Sequence, residues 1–344
     1  MLFRNCYTAL ITPMHRNHEV DLDGLEALVE FQLSQGVNGV LAVGTTGESV
    51  TLEPEEQKSV IKRVYDVAGE AKTIAGTGSS CTKKALKNTM EAVEIGVRNI
   101  LLVDPYYNGP SSLEIRREYV EPIAKEFPQA QIIPYIIPGR TGTQLLPHDL
   151  AILHSRFPNV RAVKEATGDM ENMKLTRKLC GKNFDILSGD DDKTFCMMIS
   201  PEIEASGVIS VASNIVPAAV QQMTSLILEG KVDEAKRICE KLTPLFQIVT
   251  VKTVEETPMG NVVVKARNPL PYKTLMNILG MPSGPTRPPL GKMTRKGVEV
   301  VLKAVREVYE KNPELLKPLE DCFDVDLSNR LYMEQYWKEL AYGY

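Results

Sequence analysis

Short apolar runs alternate along this chain with longer segments in which apolar residues recur every three to four positions. The runs predict buried strands at residues 7–12, 39–43, 73–75, 99–103, 132–136, 160–164, 185–187 and 207–211. A helical pattern follows each of them. Regular βα alternation argues for a parallel sheet, and eight units within about 230 residues argue for a closed (β/α)8 TIM barrel of the α/β class over a doubly wound sheet. Two of the helices are well punctuated. Over 53–69, Pro54, Glu55 and Glu56 suit a helix N-terminus, Val60, Ile61, Val64, Val67 and Ala68 make an apolar face, and Gly69 ends it. Over 82–95, Leu86, Met90 and Val93 form the stripe and Gly96 stops the helix.

Beyond residue 211 the rhythm changes. Residues 217–228, 232–251, 270–279 and 295–309 read as successive helices without strands between them, with a loop at 255–261 and a Pro/Gly linker at 283–289. A last segment, 329–341, places Met333, Trp337, Leu340 and Ala341 at helical spacing. It predicts an amphipathic helix packed on the barrel or on a neighbouring subunit. The expected organisation is a catalytic barrel over 1–230, a C-terminal helical region over 231–311, and a tail over 312–344.

Composition narrows the function. The chain has 344 residues, 43% of them hydrophobic, and a net charge of −4. With a mean hydropathy of −0.15 and a pI near 5.8, it has neither the basic character of a nucleic-acid binder nor an apolar run long enough for a membrane span. The N-terminal residues have no signal-peptide layout, and the six cysteines are scattered without a CxxC. Reduced thiols and a cytoplasmic location are expected. Of the four histidines, His15 and His18 form an HxxH pair in a polar loop. It reads as surface, so no metal site is expected.

The candidate chemistry centres on Lys164, at the end of the sixth predicted strand in Val160-Arg161-Ala162-Val163-Lys164-Glu165-Ala166-Thr167-Gly168. Burial of a lysine favours its neutral amine, which attacks ketones to form a Schiff base. By itself the stretch better fits a strand-ending lysine that snorkels to solvent, and it is the company Lys164 keeps that reverses the balance. In a barrel of this kind, the residues that gather at the site stand at the C-terminal strand ends. Here these are Gly44-Thr45-Thr46-Gly47-Glu48-Ser49, Asp104-Pro105-Tyr106-Tyr107-Asn108, Tyr135 with the turn through Arg140, Ser188-Gly189-Asp190-Asp191, and Gly207-Val208-Ile209-Ser210. Taken singly, these are tight turns, core aromatics, helix caps and surface ion pairs. Together they place an amine, several hydroxyls and a guanidinium at one mouth, a set suited to a keto acid and a second anionic substrate.

GTTGES, PYYN, the P-x-R-T-G turn, KEATG, SGDD and GVISV occur in one order, and from about Cys6 to Tyr309 the chain resembles the dihydrodipicolinate synthase branch of the N-acetylneuraminate lyase superfamily. The resemblance implies a Schiff base between Lys164 and pyruvate, with Tyr135 as proton donor and acceptor. It implies a relay of Thr45, Tyr135 and Tyr107, with Tyr107 supplied by the partner in a tight dimer. Thr46 and the Ile209 backbone would hold pyruvate, Gly189 would line the substrate site, and Arg140 would bind the carboxylate of aspartate 4-semialdehyde. No metal or organic cofactor is implied, and a dimer of dimers is.

Two departures from the family pattern are visible. Ile136-Ile137-Pro138-Gly139-Arg140 stands where the tyrosine is usually followed by asparagine and a V-P-S-R turn. The positions matching the lysine-inhibitor site are Pro54, Gln57, Ser80 and Lys84, and a lysine facing the effector's ammonium predicts weak or absent feedback by lysine. Two other functions compete: a pyruvate-dependent aldolase of a sugar acid, and a barrel that binds a keto acid without turnover.

Overall fold

The computed structural model describes residues 2–342. Eight parallel strands close into a barrel in sequence order: β1 (Asn5–Ala9), β2 (Gly39–Ala42), β3 (Thr73–Gly76), β4 (Asn99–Val103), β5 (Gln131–Ile136), β6 (Ala162–Glu165), β7 (Asp185–Ser188) and β8 (Gly207–Ser210). Closure comes from the pairing of β1 with β8, Asn5 opposite Gly207 through Thr8 opposite Ser210. Gly207 is needed there, because a Cβ would stand 2.1 Å from the Asn5 carbonyl oxygen. Each strand predicted from the sequence is present, with ends shifted by at most three residues. The strands read as nearly unbroken apolar runs because side chains on both faces are buried, as in any parallel sheet sheathed by helices.

Helices α1 (Leu22–Ser34), α2 (Pro54–Ala68) and α3 (Thr82–Ile95) follow the first three strands. In α2, the Glu56 side chain accepts the Glu53 backbone N–H at 2.8 Å, which answers a helix-end donor that has no partner within the helix. Val60, Ile61 and Val64 point into the core, as their spacing predicts. In α3 the buried residues are Ala85, Thr89 and Ala92, while Leu86 and Val93 are half-buried and Met90 is exposed. The predicted stripe is therefore one position out of register. Against a crowded barrel wall the small residues face inward and the long ones flank them. The circuit is completed by α4 (residues 112–126, with a wider π turn over Ile115–Val120), α5 (Pro147–Arg156), α6 (Met170–Cys180), α7 (Asp191–Ile199) and α8 (Pro217–Leu228).

The C-terminal region departs from the all-helical expectation. Helix α9 (Val232–Phe246) ends in a 3-10 turn, and the chain then forms an antiparallel hairpin of β9 (Thr250–Thr257) and β10 (Gly260–Arg267). The supposed loop at 255–261 is the tip of that hairpin and its adjoining strand ends. Val249 and Val251 extend the apolar spacing of α9, which is why the helix reads on too far. Thr253, Val254, Val262, Val263 and Val264 are β-branched, however, and pair across the hairpin. Helices α10 (Leu270–Leu279) and α11 (Arg295–Lys311) then pack on the barrel.

Residues 329–341 do not form the single amphipathic helix expected of them. The tail forms α12 (Lys317–Phe323), α13 (Leu327–Tyr332), three 3-10 turns and a two-residue strand, Ala341–Tyr342, that pairs with Met293–Thr294. Met333 is extended and ends α13. Trp337 lies 6.0 Å from the Arg306 guanidinium, and the Arg330 guanidinium stacks 4.6 Å from the Tyr336 ring. Arg330 also donates to the Ile278 and Asn277 carbonyls at the end of α10, and Phe323 meets Phe31 of α1 edge-on at 5.2 Å. The tail thus straps its own chain.

Candidate active site

Lys164 is the penultimate residue of β6, directly opposite Tyr135 of β5 in the parallel register. It is 4% exposed, and its amine sits 4.3 Å from the centre of the Tyr135 ring. The snorkelling alternative fails on that burial. Desolvation lowers the Lys164 pKa to about 8, against the partial counterweight of Asp190 and Asp191. At pH 7 roughly a tenth of the amine is neutral, where an ordinary lysine would have well under a thousandth. Gly189 makes room for this side chain. A Cβ there would stand 3.2 Å from Lys164 Cε and 2.8 Å from Ala166 Cβ.

Burial raises the Tyr135 phenol to about 12, although Arg140 and a hydrogen bond with the Thr45 side chain pull the other way. It is therefore a proton donor at neutral pH. Thr45 belongs to a strained turn, in which Val43 and Glu48 both adopt left-handed backbone with φ of 56° and 58°. What holds the turn is Glu48. Its carboxylate accepts from Lys273 of α10 at 2.8 Å, in a pair with side chains 0% and 1% exposed, and from the Arg287 backbone N–H at 2.8 Å. Lys273 also donates to the Thr12 and Pro285 carbonyls. Thr46, buried beside Thr45, accepts a hydrogen bond from the Asn268 side chain at 2.9 Å. Asn268 uses its carbonyl to accept from Arg140 Nη2, also at 2.9 Å.

Ile209 lies fully buried on β8, in register with Tyr7. Asp190 stands at the N-cap position of α7, but its side chain makes no capping bond; burial raises its pKa to about 6. Asp191 is buried and accepts from the Val211 and Ala212 N–H groups, tying α7 to the end of β8. The sequence suggests helix capping for these acids, but neither side chain caps α7. Behind Lys164, Glu165 accepts from the Thr167 N–H and the Asn172 amide, with its pKa raised by burial to about 7.

Tyr107 is the one proposed relay member that this chain does not bring to the site. It is 93% exposed, in left-handed backbone with φ of 86°. Arg140 makes no ion pair among the described residues, and no cluster able to hold a metal occurs among them. His15 and His18 lie in a loop, as expected. At the positions that the resemblance matches to a lysine-inhibitor site, Pro54 opens α2, Gln57 donates to the Ser49 and Leu52 carbonyls, Ser80 is half-buried, and Lys84 is exposed in the first turn of α3.

Residues 2–308 match the model of the dihydrodipicolinate synthetase family. The chain belongs to the dihydrodipicolinate synthetase family. A 4-hydroxy-tetrahydrodipicolinate synthase from Trichlorobacter lovleyi is 39% identical over 311 residues, 90% of this chain and 99% of that one. One from Methanococcus maripaludis is 37% identical over 303 residues, 88% and 97% of the two chains. The structure of the 4-hydroxy-tetrahydrodipicolinate synthase of Methylacidiphilum fumariolicum superposes with a TM-score of 0.82 at 33% identity, over 93% of this chain and 99% of that one. Against this family background, the residues missed from the sequence are Glu48, Asn268 and Lys273, which brace the mouth of this synthetase-family barrel. The one available signal was Lys273 as the single charged residue of the helix Leu270–Leu279.

Proposed function

We propose that this enzyme condenses pyruvate with L-aspartate 4-semialdehyde to give 4-hydroxy-tetrahydrodipicolinate, through an imine on Lys164 and without metal or organic cofactor. The observation that carries the reading is the buried Lys164 amine, held neutral in part beside the Tyr135 ring at the C-terminal mouth of the barrel. Family membership and the names of the relatives support the choice of substrates. Arg140 favours it over a sugar-acid aldolase, since a neutral polyol chain offers nothing for a guanidinium to grip. A non-catalytic binder has no use for a buried amine.

In this mechanism the Lys164 amine adds to the pyruvate ketone, and Tyr135 protonates the oxygen that leaves as water. The imine draws electrons from the methyl carbon, which loses a proton and becomes an enamine. The enamine carbon attacks the aldehyde, and the new alkoxide takes up a proton. The substrate's own amino group then displaces Lys164 from the imine carbon, closing the ring and restoring the free amine. One water is lost overall. Thr46 and the Ile209 backbone hold pyruvate, Gly189 leaves the lysine room beside it, and Arg140 holds the aldehyde's carboxylate. The proposal includes a dimer of dimers in which Tyr107 reaches the Thr45–Tyr135 relay of the partner. The exposure of Tyr107 supports this, and free thiols at all six cysteines support a cytoplasmic setting.

Mass spectrometry after pyruvate and borohydride tests the reading. A pyruvyl adduct is expected on the wild type and none on Lys164→Ala, with pyruvate consumed only when the semialdehyde is added. No adduct on the wild type would make Lys164 structural. The exposed Lys84 also predicts little feedback by lysine, and micromolar inhibition in an initial-rate assay would contradict that.

A further inference from the structure

Four cations stand together at the rim of the mouth. Arg140 lies on the turn after β5, and Arg267 is the last residue of β10. Their guanidiniums are laced reciprocally. Arg140 Nη2 donates to the Asn268 carbonyl at 2.9 Å, and Arg267 Nη1 donates to the Gly139 carbonyl at 3.3 Å, so each is tied to the residue adjoining the other. Next along the hairpin, Lys265 lies directly opposite Lys252. Like charges placed opposite each other destabilise a sheet, and the field of Arg267, with those of Lys252 and Arg140, lowers the Lys265 pKa. All four side chains are exposed. None of the four forms an ion pair with a carboxylate among the described residues. The acid whose field reaches Arg140 is Asp190, which also faces Lys164.

A hairpin serving only as a brace would gain from an acid at any of these positions. Like charges held side by side, and laced through backbone carbonyls so that they cannot swing apart, point to an anion that occupies the rim while the enzyme works. We propose that Arg267 is a specificity-determining residue, which forms with Arg140 a paired-guanidinium clamp for the carboxylate of the aldehyde substrate. Lys265 and Lys252 extend the attractive field outward along the hairpin. The proposal rests on the reading that this mouth receives a carboxylate-bearing aldehyde. A carboxylate has about four lone-pair sites, more than one guanidinium fork fills, and a second fork alongside completes them. The hairpin therefore contributes to substrate selection as well as to packing.

Steady-state kinetics of Arg267→Gln and Arg267→Lys test the clamp. Loss of one charged hydrogen-bonding partner raises the KM for the semialdehyde about tenfold in the glutamine variant. The KM for pyruvate and the rate of pyruvyl-adduct formation stay at wild-type values. The lysine variant falls between, because it keeps the charge and loses the fork. Calorimetric titration with L-homoserine, which carries an alcohol in place of the aldehyde, should show the same loss of affinity in Arg267→Gln. An unchanged semialdehyde KM overturns the proposal. So does an equal loss for both substrates, which would mean that Arg267 merely holds the Gly139 turn. If the wild type forms no pyruvyl adduct, the condensation reading fails, and the homoserine titration still decides the clamp. Stronger binding to wild type than to Arg267→Gln supports it, and equal or absent binding to both overturns it.

Discussion

At the scale of single residues, the site is a problem of keeping one amine neutral and one phenol protonated. Lys164 and Tyr135 are moved in opposite directions from their ordinary values by the same cause, since burial disfavours the charged form of each. The rate of imine formation from pyruvate should therefore climb with pH and level off with an apparent pKa near 8, as read by stopped-flow borohydride trapping. A midpoint near 10.5 would mean that Lys164 is solvated in the working enzyme. Gly189 should matter as much as the polar residues. Gly189→Ala drives a methyl against Lys164 Cε and Ala166, and displacement of the amine should slow adduct formation by about a hundredfold without unfolding the barrel. Adduct kinetics alongside circular dichroism separate those two effects.

At the scale of elements, the strand-two turn is held in a strained shape by a helix some 220 residues away in sequence. The Glu48–Lys273 pair is fully enclosed, so removing one partner strands the other charge. Lys273→Met should cost about 3–5 kcal/mol in urea unfolding. It should also impair turnover, because Thr45 and Thr46 ride on the same turn. A stability loss under about 1 kcal/mol would show that the pair is not what holds the turn. The hairpin formed by β9 and β10 works at this scale too, since its end delivers Asn268 to Thr46 and Arg140.

At the scale of the whole molecule, the tail and the outward Tyr107 divide what one chain completes from what it leaves open. Residues 312–342 close over α1, α10 and α11 of their own chain, with Leu316, Leu319, Leu327 and Leu331 all fully buried. They are core in every energetic sense. Tyr107 is almost wholly exposed on its own chain. If a second copy receives it, a mixture of Lys164→Ala and Tyr107→Ala chains should regain about a quarter of wild-type activity after exchange, because each mixed dimer holds one intact site. No recovery, despite subunit exchange confirmed by native mass spectrometry, would mean that Tyr107 does not cross between subunits.

The barrel and its chemical centre were legible in the sequence because both depend on local pattern. Apolar runs of strand length alternating with amphipathic helices specify buried parallel strands wherever helices cover both faces, and the strand-end motifs single out Lys164, Tyr135 and Thr45 as candidates, which the fold brings together. Tertiary structure alone decided the rest. The hairpin was misread because a β-branched stretch following an apolar helix satisfies either period, and only its pairing partner settles the matter. The tail was misread because Arg306 and Arg330 supply its aromatics with partners that a helical spacing cannot anticipate. Glu48 with Lys273, Asn268 with Thr46, and Arg140 beside Arg267 are contacts between residues more than a hundred positions apart. Local pattern carries no information about such pairs, because it is the closing of the chain on itself that removes water from between them and makes each one worth forming.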